Sequence, residues 1–136
     1  MTVRALLDGG RLHHQTAMRW MASNARSGWV SCPLTQNGCV RILSAPSYPN
    51  AQPAAAVAER LVRATSHGDH VFWPDSISLL AAGPMRWDRV LTSRQVTDNC
   101  LLALAASQGA RWVTFDRGIS VDAVPWAQKK NLLALA

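Results

Sequence analysis

The stretch TDNCLLALAASQGARWVTF (97–115) limits the possible folds more than any other part of the chain. Its first part reads as a helix starting at Thr97-Asp98, with the run 100–106 apolar on nearly every side. Such a helix is stable only at the centre of a core. Gly109 closes it as a C-cap residue. Residues 111–115 (RWVTF) then read as a strand, broken by Asp116-Arg117-Gly118. A central helix feeding a short strand through a tight turn is a building unit of α/β folds.

The rest of the chain repeats that alternation. Residues 3–7 (VRALL) predict a short strand stopped by Asp8-Gly9-Gly10, and residues 14–25 predict a helix ending before Gly28. Residues 29–32 (WVSC) form a second strand, after which Pro33 opens a helix to about Ser44. In that helix Leu34, Gly38, Cys39 and Ile42 make one apolar stripe. Residues 45–52 are a loop with Pro46, Pro49 and Asn50. Pro53 suits a first helical position, and Ala54, Val57, Ala58, Leu61 and Val62 face inward behind it. Residues 70–73 are a third strand, and 76–80 and 85–90 are predicted as short helical pieces around Gly83-Pro84. Residues 121–136 pack back on the body through Trp126 and residues 132–135. Strands alternating with helices predict an α/β fold with a mainly parallel sheet. With 136 residues there is room for one domain, residues 1–136.

Element lengths then locate a site. The helix from Thr97 to Gly109 is ~18 Å long at 1.5 Å per residue. The strand 111–115 is ~16 Å long at 3.3 Å per residue. The turn at Gly109-Ala110 makes them antiparallel, so Asp98 and Asp116 fall at one edge. Asp8 ends the first strand, and a parallel sheet brings it to the same edge. Gln36, in the first turn after the second strand, belongs there too. This is the carboxyl edge, where open α/β sheets bind ligands.

Charge narrows the class of partner. Fourteen Lys and Arg, twelve of them arginine, face eight acids, giving a net charge of +6. An Arg-rich basic chain fits a polyanion, nucleic acid or an acidic protein segment. The alternative is ordinary solubility by net charge. Three cysteines, Cys32, Cys39 and Cys100, lack zinc-site spacing and read as reduced thiols of a cytoplasmic protein. No apolar run approaches the roughly 18 residues of a membrane span. Only three apolar residues separate Arg4 from Asp8, which predicts no secretory signal.

Clustered carboxylates are stable only beside a cation or with raised pKa values. Aspartate oxygens suit Mg²⁺ or Mn²⁺ and are poor ligands for zinc. Such an ion in a basic protein fits phosphodiester hydrolysis. Taken singly, Asp98 also reads as a helix cap, and Asp8 and Asp116 as turn acids. His13-His14 at a helix start, Asp69, Asp122 and the six dispersed tryptophans need no special role. Only the convergence of the three aspartates favours chemistry.

The stretches GWVSCPLTQNGCVRILS (28–44), FWPDSISLL (72–80), RQVTDNCLLALAASQGARWVTFDRG (94–118) and VPW (124–126) resemble the PIN-domain ribonucleases, specifically VapC-type toxins of bacterial toxin–antitoxin pairs. His13-His14 followed by Ala17-Met18-Arg19-Trp20 fits as well. The resemblance implies an α/β/α sandwich around a parallel sheet and RNA cleavage with Mg²⁺ or Mn²⁺. It also implies a cognate antitoxin, an RNA substrate and a homodimer. Asp98 and Asp116 match the family's later pair of acids. Asp8, Asp98 and Asp116 would hold the metal and Gln36 would orient water or phosphate. Arg41, Arg94, Arg111 and Arg117 are candidates for phosphate contacts.

Two departures stand out. Gln36 occupies a position where the family commonly has glutamate, and an amide cannot serve as a base. Asp8 is followed at once by Gly9-Gly10-Arg11, so the first strand and helix are shortened relative to the family. In one register residues 5–8 are the first strand with its aspartate; in the other residues 5–14 match the end of the first helix, and that strand is missing. A binding module that holds antitoxin or RNA without cutting is therefore the competing reading. A nucleotide- or sugar-phosphate-binding protein would need a glycine-rich loop after a strand, and none is present.

Overall fold

The computed structural model describes residues 5–7, 28–48, 50–66, 68–93, 95–114 and 118–134, the first group by its backbone. Five strands form one sheet: β1 (Ala5–Leu7), β2 (Trp29–Ser31), β3 (His70–Phe72), β4 (Arg111–Thr114) and β5 (Leu132–Ala134). Their order is β3-β2-β1-β4-β5, and all four pairings are parallel. Residues 5–7 are thus the central strand, hydrogen-bonded to β2 and β4. The described helices are α1 (Pro33–Leu43), α2 (Ala54–Thr65) and α3 (Gln95–Ser107), with single 3₁₀ turns at Trp87–Arg89 and Lys129–Asn131. The expected helix over 14–25 lies outside the described residues.

Alternation along the strands separates two layers. Val30 and Val71 are paired across β2 and β3 and pack in the core that α3 fills with Leu101, Leu102, Ala103, Leu104 and Ala105. Trp29, Ser31 and His70 point to the other face, where Ser31 meets Gln36 of α1 and His70 meets the Thr65 backbone at the end of α2. Helices therefore cover both faces. The α3 run lies at the centre because it is apolar all round, and each buried leucine contributes about 1.5–3 kcal/mol. Trp112, Leu102 and Val124 are almost fully buried beside it.

The turn out of α3 takes the form its glycine predicts. Gly109 has φ 67°, its N–H donates to Ala106 O at 3.1 Å, and the Ala110 N–H donates to Ala105 O at 2.8 Å. This is a Schellman closure, which returns the chain antiparallel into β4. Asn131 then fixes the last crossover, donating from Nδ2 to Ala110 O at 2.9 Å and accepting the Gln128 N–H at 2.8 Å.

Several expectations need correction. Residues 76–80 form no helix: Ile77 and Leu79 pack against the core while Ser76, Ser78 and Leu80 are exposed, a period of two rather than 3.6. Of 85–90 only Trp87–Arg89 is helical, and that is one 3₁₀ turn. Pro53 is the residue before α2, not its first. The tail does more than pack back, since Leu132–Ala134 adds a strand beside β4. Helix α3 begins at Gln95, two residues before the predicted start, because Gln95 Oε1 accepts the N–H groups of Leu91 and Thr92.

Candidate functional site

Because every strand runs the same way, Leu7, Ser31, Phe72 and Thr114 end at one edge of the sheet. The order turns back beside β1: β2 and β3 lie on one side of it, β4 and β5 on the other. A crevice at such a reversal is where open α/β sheets take ligands.

Helix α3 enters this edge with Asp98. The early start at Gln95 puts Asp98 inside the first helical turn, so it is not the capping residue. Its half-buried side chain lines an open cleft of about 410 Å³, together with Arg89, Thr92, Gln95, Asn99, Ser120 and Asp122. Among the described residues the lining therefore mixes carboxylates, amides and hydroxyls with the Arg89 guanidinium. Arg89 stands 3.9 Å from Asp88, but both side chains are largely exposed, so the pair holds Arg89 only weakly.

Helix α1 enters from the other side of the edge. Pro33 opens it, and the Cys32 N–H donates to Thr35 Oγ1 at 2.9 Å, which closes the first turn. Gln36 N–H donates to Cys32 O at 2.9 Å, and its Nε2 donates to Ser31 Oγ at 2.8 Å. Ser31 Oγ lies 2.7 Å from His70 Nε2, and the Trp29 ring lies 4.5 Å from the His70 ring, inclined by 55°. Burial pushes the His70 pKa down, opposed by a hydrogen bond to the Thr65 backbone. Burial also pushes up the thiols of Cys32, Cys39 and Cys100. All three cysteines are free.

Of the expected site residues, Asp98 and Gln36 both stand in helix first turns at the carboxyl edge. Asp8, Asp116, Arg94 and Arg117 lie outside the described residues. Arg41 is exposed in the last turn of α1, and Arg111 is the first residue of β4, so both are at the ends of their elements remote from that edge. Sequence reasoning overlooked Arg89, for which a lone arginine in a 3₁₀ turn gives no signal. It also overlooked Ser31 and His70, which are 39 residues apart and meet only because β2 and β3 pair. Asp75, in the Pro74-Asp75 pair that ends the third strand, is near enough to Cys32 and Cys100 to help push their thiols up. Among the described residues no three His, Cys, Asp or Glu gather as a metal cluster. No described helix is long and apolar enough to cross a membrane.

No protein-family profile matches the chain, and no solved structure does. Curated proteins do. Ribonuclease VapC44 of Mycobacterium tuberculosis is 41% identical over 131 residues, covering 96% of this chain and 92% of that one. Ribonuclease VapC39 of the same organism is 40% identical over 114 residues, covering 82% and 81%. Ribonuclease VapC38 is 38% identical over 117 residues, covering 85% and 80%. Identity at this level over most of both chains, on an all-parallel sheet of PIN type, makes this chain a member of the VapC ribonuclease family.

Proposed function

We propose that this chain is the endoribonuclease toxin of a toxin–antitoxin pair and hydrolyses RNA phosphodiester bonds at the carboxyl edge with Mg²⁺ or Mn²⁺. The observation that carries this reading is Asp98 in the first turn of α3, opening on a cleft at the edge where β1 and β4 both end. Asp8 follows β1 directly in sequence, and Asp116 is the second residue after β4. These three carboxylates are an all-oxygen donor set, the chemistry that Mg²⁺ and Mn²⁺ prefer. Such an ion supplies charge stabilisation for phosphoryl oxygens and a more acidic water.

The chain's own groups divide the remaining work. Asp8, Asp98 and Asp116 hold the ion. Gln36 is neutral, so it orients water or phosphate by hydrogen bonding and takes no proton. Arg89 on the cleft wall pairs with the RNA backbone, with Arg94 and Arg117 as further phosphate contacts. The net charge of +6 suits both RNA and an acidic antitoxin segment lying across the same edge. Two copies pair as a homodimer, and the three free thiols fit action in the cytoplasm.

The test is cleavage of total cellular RNA by the purified chain. Cleavage should require Mg²⁺ or Mn²⁺, stop with EDTA, fail to return with Zn²⁺ alone and be abolished in Asp98→Asn. Undiminished cutting in EDTA would refute the metal mechanism, and an Asp98→Asn protein as active as the parent would refute the site.

A further inference from the structure

The hydrogen-bonded chain from Gln36 through Ser31 to His70 joins α1, the end of β2 and the start of β3. His70 Nε2 lies 2.7 Å from Ser31 Oγ. The same ring also faces the Thr65 backbone, which opposes the fall in the His70 pKa. A ring nitrogen facing a carbonyl must carry hydrogen, and with Nε2 engaged by Ser31 that nitrogen is Nδ1. Burial lowers the His70 pKa, which favours the neutral ring, and in a neutral ring with hydrogen on Nδ1 the other nitrogen, Nε2, is an acceptor. The Ser31 hydroxyl then donates its one hydrogen to His70, and its lone pair accepts from Gln36 Nε2, at 2.8 Å. Gln36 Oε1 has no partner among the described residues.

We propose that Ser31 and His70 are positioning residues that lock the Gln36 side chain, so that its carbonyl oxygen faces the carboxyl edge as a hydrogen-bond acceptor. This rests on the ribonuclease reading of that edge. An amide free to turn over would also present its NH₂, whose hydrogens repel a cation and cannot accept a bond from water. Fixed by Ser31, the neutral amide offers an acceptor with no added charge. Ser31, the middle member, is 7% exposed, and the Trp29 ring lies 4.5 Å from the His70 ring, so the centre of the chain is withdrawn from bulk water.

Two measurements test it. In protein labelled with ¹⁵N at histidine, in EDTA and without RNA, His70 should appear near neutral pH as the Nδ1–H tautomer, its signal identified by loss in His70→Gln. An Nε2–H tautomer would reverse the chain, turn the Gln36 NH₂ outward and overturn the proposal. In the RNA-cleavage assay, Ser31→Ala should lower the rate roughly ten- to hundredfold, as loss of a supporting hydrogen bond around a ligand site commonly does. Ser31→Thr, which keeps the hydroxyl, should restore most of it. Adding Ser31→Ala to Gln36→Ala should cause no further loss, because the serine acts through the glutamine. A Ser31→Ala rate equal to the parent's, or losses that simply add, would overturn the proposal. A parent protein that cuts no RNA refutes the ribonuclease reading instead, and the tautomer then decides the amide orientation by itself.

Discussion

Gly109 is where the path of the chain is most exposed to a single change. It sits at φ 67°, and a Cβ built there meets nothing within 4 Å. Substitution by alanine therefore introduces no clash, and its whole cost is the left-handed backbone, about 1–2 kcal/mol for an L-residue. An unfolding entropy of about 2.1 cal/mol/K per residue makes each kcal/mol worth ~3–4 °C in a chain of 136 residues. Gly109→Ala should thus lower the melting temperature by roughly 4–7 °C in a calorimetric or circular-dichroism scan. Gly109→Asn should lose less, since asparagine tolerates this conformation. Below the transition both should cleave RNA as the parent does, because the two Schellman hydrogen bonds can persist and Asp98 lies at the opposite end of α3. An alanine variant as stable as the parent, or an asparagine variant less stable than the alanine one, would show that the positive φ is not what the glycine supplies.

Other perturbations separate packing from chemistry. Leu102→Ala, at a fully buried position in α3, should cost about 2–5 kcal/mol in chemical denaturation, from lost burial and the cavity left behind. Arg89→Ala should raise KM for RNA severalfold, leave kcat nearly unchanged and weaken the salt dependence of binding; an unchanged salt dependence would remove Arg89 from the RNA path. In Mn²⁺ titrations Asp8→Asn should lose affinity and Gln36→Glu should gain it, since an added anion near a divalent cation is favourable. An Asp8→Asn protein that binds as the parent does would support the non-cutting module. Burial pushes the Cys32 thiol up, so less thiolate is present at any given pH than for a free cysteine. Iodoacetamide should therefore modify it slowly at pH 8 until denaturant is added, and rapid labelling of the folded protein would contradict its burial.

Much of this molecule follows from local pattern. The uniformly apolar run in α3 demanded a central place, Gly109 demanded a left-handed turn, and the matched lengths of α3 and β4 carried Asp98 to the carboxyl edge. Those inferences succeed because periodicity and glycine conformation are properties of a few neighbouring residues. Other features depend on partners distant in sequence. The strand Leu132–Ala134 exists because β4 offers it a ladder; its residues alone signal only burial. Arg41 and Arg111 looked suitable by charge, yet the direction of α1 and β4 carries them to the far ends of their elements. Capping hydrogen bonds at Gln95 moved the start of α3 and so took Asp98 out of the cap position. Ser31 and His70 have no shared motif in the sequence. The parallel pairing of β2 with β3 brings them to 2.7 Å, a contact between residues 39 apart that no local pattern encodes.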